Sequence, residues 1–108
     1  MKFTVCWDPA ALHRMTEIWI SAADGTEVSR RFDETDRKLR RSPDTVGYPA
    51  SEAMVPERAI LDLALRINRP VEEILVAPAG RCRVAYTIDE ADRTVTVWTV
   101  YEHFDETP

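Results

Sequence analysis

The C-terminal third of the sequence constrains the fold most, because three short β-type runs follow one another there with few residues between them. Glu73 to Ala77, Arg81 to Ile88 and Arg93 to Tyr101 are rich in β-branched and aromatic residues. The connecting turns are Pro78 to Gly80 and Asp89 to Asp92. Since connections this short join antiparallel strands, the sequence predicts a three-stranded antiparallel meander.

The N-terminal residues predict one more strand, followed directly by a helix. Residues 2–7 alternate between polar and apolar side chains, which is the period of a half-buried strand. Asp8 and Pro9 then suit a helix start, with Asp8 as the N-cap and Pro9 at the first helical position. Three- and four-residue spacing defines the apolar stripe of this helix: Leu12, Met15, Ile18, Trp19 and Ala22.

A second helix follows after the turn at Asp24-Gly25, with Thr26 as the predicted cap. It ends at Ser42-Pro43, because the residue before a proline disfavours the α region. Its apolar positions recur at helical spacing: Val28, Phe32, Thr35 and Leu39. The connection is short, so the two helices form an antiparallel hairpin. We expect that hairpin to pack on one face of the sheet through Leu12, Met15, Trp19, Phe32 and Leu39.

The middle of the chain is the least regular part. Residues 42–56 hold three of the seven prolines and are predicted to be a loop. Residues 57–67 fit a helix, with Ile60 and Leu63 on one face, and also fit a strand, because Leu61, Leu63 and Leu65 alternate. The helix is favoured by composition, and its apolar side is expected against the sheet edge or a partner chain.

These elements together predict a single α+β domain over residues 1–108, with the first strand and the meander in one sheet. The order lacks the regular alternation of a parallel α/β fold. The net charge of −5 argues against general nucleic-acid binding. The basic block at residues 37–41 lies within a turn or two of Asp33 and Asp36, so it is interpreted as a solvated helix face. The cysteines, Cys6 and Cys82, have no metal-ligand spacing and are expected to be small buried thiols.

Neither a signal peptide nor a membrane span is expected, since no apolar run is long enough, and we expect the protein in the cytoplasm. The sequence contains no glycine-rich phosphate loop, metalloprotease motif or calcium loop. No metal and no organic cofactor are therefore expected.

Several of these segments resemble the RelE/ParE superfamily of type II toxin–antitoxin toxins. Residues 3–24 are similar to its opening strand and proline-started helix, which ends in Ile18-Trp19. Residues 74–103 resemble its C-terminal strands, in which an arginine stands three positions before a tyrosine, as Arg83 and Tyr86 do here. The resemblance implies the same strand, helical hairpin and antiparallel sheet, and it makes residues 56–70 look like an insertion.

The resemblance also implies a metal-independent endoribonuclease that cuts messenger RNA. It places Arg83 at the position of an active-site arginine and His103 at that of a catalytic arginine or histidine. Tyr101 is a candidate to stack on a base or orient the imidazole, and Arg81 a candidate substrate-binding residue. We expect Arg83 and His103 to face one surface of the sheet, because residues 97, 99, 101 and 103 share one side of a regular strand.

The implied partners are a cognate antitoxin and either ribosome-bound messenger RNA or gyrase, and a homodimer is a further alternative. RNA-cleaving members carry basic residues on the strand before the arginine, whereas here that strand begins Glu72-Glu73. A non-enzymatic, gyrase-directed toxin and a non-toxic interaction module that kept the fold therefore remain open.

Overall fold

The computed structural model describes residues 2–52 and 55–102. The helices are α1 (Pro9–Ser21), α2 (Gly25–Arg41), α3 (Pro43–Val46) and α4 (Glu57–Ile67). The strands are β1 (Thr4–Trp7), β2 (Tyr48–Pro49), β3 (Leu75–Ala79), β4 (Cys82–Asp89) and β5 (Thr94–Glu102). Among these helices, none is both long and apolar enough to cross a membrane.

The five strands form one mixed sheet in the order β1-β5-β4-β3-β2. β1 runs parallel to β5, and the other neighbours are antiparallel. The predicted α+β architecture is confirmed, including the antiparallel meander and the position of β1 in the same sheet. The bounds of β3, β4 and β5 lie within two residues of the predicted runs.

The segment 42–56, predicted as a loop, contributes the fifth strand. Tyr48 pairs with Val76 of β3, so the two-residue strand β2 is added at the edge of the sheet. The Tyr86 hydroxyl donates a hydrogen bond of 2.6 Å to the Pro43 carbonyl and thereby holds this segment against the sheet. A contact between residues 43 apart in sequence leaves no local pattern, which is why the strand was not predicted.

Aspartates cap both long helices. The Asp8 carboxylate accepts a hydrogen bond from the Ala10 amide at 3.0 Å, which confirms the predicted start of α1. In α2 the cap is Asp24, not Thr26 as predicted. Its carboxylate accepts from the amides of both Thr26 and Glu27, at 3.0 and 3.3 Å, and so satisfies two unpaired donors of the first turn.

The helical hairpin packs on one face of the sheet, and Met15 and Ile18 of the predicted α1 stripe pack against the core there. Phe32 and Leu39 of α2 are buried as expected. Leu12 and Trp19, however, are 43% and 50% exposed, so the prediction that the hairpin packs on the sheet through these two side chains was wrong. Ala11 of α1 is fully buried. Its small side chain permits the helix to approach the sheet closely.

A second apolar cluster lies on the opposite face of the sheet, beneath α4. Its helix residues are Ile60, Leu63 and Ala64, and its strand residues include Ile74, Val76 and Ala85. The helical prediction for residues 57–67 is confirmed, and the apolar side does face the sheet. That this helix is an addition relative to the toxins it resembles stays a prediction.

A β-bulge at Trp98 changes the register of β5. Ala85 pairs with Thr99 and Tyr86 with Val97, so Trp98 has no partner on β4. Val97 consequently packs under the helical hairpin, whereas Tyr101 packs with the α4 cluster. The prediction that residues 97 and 101 share one side was therefore wrong, because a bulge inverts the alternation beyond it.

The two cysteines differ in environment. Cys82 is buried, as predicted, whereas Cys6 is exposed, so the prediction of two buried thiols was half wrong. Cys6 alternates with Val5, which takes the core-facing position of the short strand β1. Burial raises the pKa of the Cys82 thiol, so this side chain stays protonated at neutral pH.

Candidate active site

The structure places Arg83 and Tyr101, two of the predicted catalytic residues, directly opposite each other on β4 and β5. They lie at the end of the sheet next to the β3–β4 turn. Cross-strand partners have their Cβ atoms about 4.5–5.5 Å apart, so a single ligand group can contact both side chains. Tyr101 belongs to the cluster beneath α4, so the pair lies on the α4 face of the sheet.

The Arg83 guanidinium is partly buried and incompletely satisfied. Its Nη1 donates a hydrogen bond of 3.0 Å to the Cys82 carbonyl. Its Nε is buried without a hydrogen-bond partner, and no carboxylate of residues 2–52 or 55–102 lies within ion-pair distance of it. A buried donor without a partner is rare in proteins and can be satisfied by a bound water or ion. The Nε of Arg93, outside the candidate site, is in the same state, so this feature alone does not mark function. An anion with planar or tetrahedral oxygens would supply the missing acceptor.

Tyr101 is held by helix α4. Its hydroxyl donates to the Ala59 carbonyl over a long contact of 3.4 Å. Burial raises the pKa of this phenol above its usual range, while nearby Arg66 opposes the rise and Asp62 adds to it. The hydroxyl is thus neutral at physiological pH and can donate one hydrogen bond. A ligand that offers a better acceptor than Ala59 could take that bond.

Arg66 is a neighbour of the site that sequence reasoning missed. Its Nη2 donates to the Trp98 carbonyl at 3.3 Å, and its Nη1 lies 3.9 Å from the Asp8 carboxylate. This arginine therefore joins α4 to the bulge of β5 and to the start of α1. No sequence motif marks it, because its role depends entirely on contacts between distant segments.

Arg81 is exposed at the turn between β3 and β4. The turn requires Gly80, whose φ of 63° lies in the left-handed region. A Cβ on Gly80 would approach the Cγ of Arg31 to 2.9 Å, so the α2 side chain packs across the turn. Arg31, Arg81 and Arg83 line one open cleft of about 1120 Å³ on the hairpin side of the sheet, in which Glu27 and Glu102 provide the opposite charge. The cleft thus holds the predicted substrate-binding residue and the predicted catalytic arginine, whereas Tyr101, which packs beneath α4, does not line it.

The third predicted catalytic residue, His103, lies outside the described residues. Its convergence with Arg83 stays a prediction. The described part of β5 ends at Glu102. Its carboxylate accepts a hydrogen bond of 2.7 Å from Arg14 of α1, on the hairpin side of the sheet.

Two of the four basic residues in the block of α2 pair with carboxylates of their own helix. Arg37 lies 2.6 Å from the Asp33 carboxylate, and Arg40 lies 2.7 Å from that of Asp36. These pairs follow the four-residue spacing that brings side chains together on a helix surface. The arrangement agrees with a solvated face and halves the positive charge of the block.

The described residues contain no candidate metal site. Within residues 2–52 and 55–102, no three side chains of His, Cys, Asp or Glu come together as metal ligands would.

Comparison with solved structures shows which fold the chain has. No protein-family model and no curated relative matches the sequence. The RelBE2 toxin–antitoxin complex of Mycobacterium tuberculosis aligns with a TM-score of 0.63 at 19% identity, covering 94% of this chain and 99% of that chain. The RelE-RelB complex of Pyrococcus horikoshii aligns at 0.58 and 12%, covering 97% and 99%. The YoeB dimer of Staphylococcus aureus aligns at 0.57 and 8%, covering 96% and 100%.

The chain has the fold of these RelBE2, RelE and YoeB structures. Within this fold the helical hairpin covers one face of the sheet and α4 covers much of the other. Ile74 and Val76 of the strand region before Arg83 are fully buried beneath α4. The absence of basic side chains at these two positions thus has a structural reason, since a charged group there would be buried under an apolar helix.

Proposed function

We propose that this protein is the toxin of a type II toxin–antitoxin system and is neutralised by a cognate antitoxin. The proposal is carried by the likeness to toxins along nearly the whole length of both chains. One of the similar structures is a toxin–antitoxin complex, and another is a RelE-RelB complex. The antitoxin is expected to be encoded beside this gene.

The candidate chemistry is metal-independent cleavage of RNA at the Arg83 and Tyr101 pair. Arg83 would bind the scissile phosphate and stabilise the charge that develops on it. Tyr101, as a neutral phenol, would donate a hydrogen bond to a phosphate oxygen or stack on a base. His103 would move the proton of the 2′-hydroxyl or of the leaving oxygen, because imidazole titrates near neutral pH. Arg81 would contact a neighbouring phosphate.

A second candidate is a toxin that acts by binding, as gyrase-directed toxins do, without cutting RNA. The observation that favours it is the apolar cover of α4 over the sheet face beside Arg83. Together with the net charge of −5, this cover leaves little basic surface along which an RNA strand could lie. A non-toxic interaction module would share the same features.

Expression in cells without the antitoxin distinguishes these functions. A toxin should arrest growth, and a nuclease should lose the arrest in Arg83→Ala and in the double variant Arg83→Ala, His103→Ala. Arg58→Ala is the matched control, because Arg58 is an exposed arginine on α4 outside the candidate site. Purified wild type should cleave RNA in the presence of EDTA, and loss of one transition-state contact should lower the rate about 100-fold or more.

The other outcomes are equally informative. Arrest by wild type and by both variants, without RNA cleavage, would support the toxin that acts by binding. Absence of arrest in every case, at protein levels matched by immunoblot, would contradict the toxin proposal and leave the interaction module.

A further inference from the structure

The cleft beside the β3–β4 turn is lined by three arginines, one of which comes from helix α2. This arginine, Arg31, lies over the turn, because a Cβ on Gly80 would lie 2.9 Å from its Cγ atom. One helical turn further along α2, the Thr35 hydroxyl donates a hydrogen bond of 2.9 Å to the Pro78 carbonyl near the end of β3. These two contacts fix the position of Arg31 relative to the turn and to its two arginines.

The two carboxylates that line the cleft are already bonded to arginines outside it. Glu102 accepts a hydrogen bond of 2.7 Å from Arg14, and Glu27 lies 2.6 Å from Arg30. Neither Arg14 nor Arg30 is among the described residues that line the cleft. The acidic side chains of the cleft are therefore largely compensated from its outer side, which leaves the positive charge within it available.

The arginines of the cleft retain unused hydrogen-bond donors. Arg81 and Arg83 have no carboxylate within ion-pair distance in residues 2–52 and 55–102. Arg31 donates from its Nε to Glu27 at 2.7 Å, and its Nη1 lies 3.8 Å from the Glu34 carboxylate. Its two terminal nitrogens make no hydrogen bond within the described part of the chain. Three guanidinium groups thus offer donors to the same space, as a phosphate requires.

We propose that the RNA strand reaches Arg83 through this cleft, on the hairpin side of the sheet, and that Arg31 binds a phosphate next to the scissile one. The inference rests on the proposed RNA cleavage and adds to it the path of the substrate and a binding residue. Arg83 stands near the end of β4, where it lines the cleft and also pairs with Tyr101 on the ladder. A strand in the cleft can therefore reach the candidate pair without passing beneath α4.

The other side of the cleft suits the sugars and bases of a single strand. Ile18 and Val28 line it and are partly buried against the core beneath the hairpin. Proteins that bind single strands place positive charge along the phosphates and apolar or aromatic side chains against the bases. The cleft has both kinds of surface, and its apolar side comes from the same two helices that hold Arg31 in place.

The other surfaces of the hairpin fit a phosphate chain less well. Arg37 and Arg40 of α2 pair with Asp33 and Asp36 and are not among the residues that line the cleft. The groove between α1 and α2 is lined by the same two aspartates, and each charged residue described along it is acidic. That groove repels phosphate, so charge favours the cleft.

Binding of a fluorescein-labelled 2′-O-methyl RNA of about six nucleotides tests the inference, because the methyl group blocks cleavage and keeps the phosphates. We expect Arg31→Ala to weaken binding about tenfold, as the loss of a charged hydrogen bond does. The slope of log K against log salt concentration should become less steep by about 0.7, the value for one phosphate contact of a single strand. Arg31→Lys keeps the charge and should keep the slope.

Arg30→Ala is the matched control, because Arg30 is adjacent, is exposed and pairs with the same Glu27, but lies outside the cleft. It should bind RNA with the wild-type slope, and both alanine variants should keep the wild-type circular dichroism spectrum. Equal affinities and slopes of Arg31→Ala and Arg30→Ala would overturn the inference, even where the wild type arrests growth and cleaves RNA. Absence of binding by the wild type would overturn it as well. Growth arrest without the antitoxin, measured separately, still decides whether the protein is a toxin.

Discussion

Replacing Tyr86 with Phe tests the contact that attaches residues 43–49 to the sheet. Tyr86 is fully buried, and its hydroxyl donates to the Pro43 carbonyl at 2.6 Å. The Gly47 backbone lies beside this hydroxyl. Phenylalanine fills the same space apart from one oxygen, so the packing of the ring is preserved. The change therefore isolates the hydrogen bond.

The expected cost follows from the groups left without partners. A neutral hydrogen bond contributes about 1 kcal/mol net, and a buried polar group without a partner costs about 1–3 kcal/mol. We expect the free energy of unfolding of Tyr86→Phe to fall by about 1–3 kcal/mol in urea denaturation, with an unchanged slope. Tyr48→Phe is the control, because the half-buried Tyr48 makes no side-chain hydrogen bond within the described residues. Its cost should stay below about 0.5 kcal/mol.

The same variant has a pH signature. Burial raises the pKa of Tyr86 to about 12, whereas an unfolded tyrosine titrates near pH 10. A raised folded pKa contributes stability that is complete below about pH 10 and is lost as pH rises toward 12. The stability difference between wild type and Tyr86→Phe should therefore narrow across this window. A loss below 0.5 kcal/mol at neutral pH, or a constant difference up to pH 12, would refute the reasoning.

Four further substitutions have expected outcomes in the same denaturation assay. Trp19→Ala should cost only about 1.5–2.5 kcal/mol, half the value for a buried tryptophan, because the side chain is 50% exposed; a cost of about 3–5 kcal/mol would contradict the assigned face of α1. Leu39→Ala should cost about 2–5 kcal/mol, because Leu39 is fully buried. Gly80→Ala should cost at least about 1 kcal/mol, because φ is positive and Arg31 occupies the Cβ position; a neutral effect would mean that the turn differs. Gly47→Ala should cost more still, since the added Cβ would lie 2.8 Å from the Val76 carbonyl oxygen.

Local patterns predicted the parts of the fold that local interactions determine. The Asp8 cap and the period of the α2 apolar residues are visible within a few residues of sequence. The face of α1 was predicted less well, because Leu12 and Trp19 are as apolar as the residues that point inward. Ala11 makes the contact because α1 packs close to the sheet. The spacing of apolar residues in the sequence carries no information about that distance.

The candidate site was predicted in part. Arg83 was singled out by resemblance and Tyr101 because it was expected to share a strand side with His103, and the ladder pairs the two directly. The prediction assumed a regular β5, in which residues 97 and 101 share one side, whereas the structure has a bulge between them. Arg66 could not be identified, since its partners Trp98 and Asp8 lie 32 and 58 residues away in sequence.

The bulge at Trp98 explains why the site and helix α4 depend on each other. In a regular strand Trp98 and Tyr101, three residues apart, would point to opposite faces. The extra residue puts both on the α4 side, where the Trp98 indole donates to the Thr87 hydroxyl at 2.9 Å and the Tyr101 hydroxyl reaches Ala59. Removing the bulge would move Tyr101 away from both Arg83 and α4. The register of one strand therefore sets which face holds the arginine–tyrosine pair and which helix covers it.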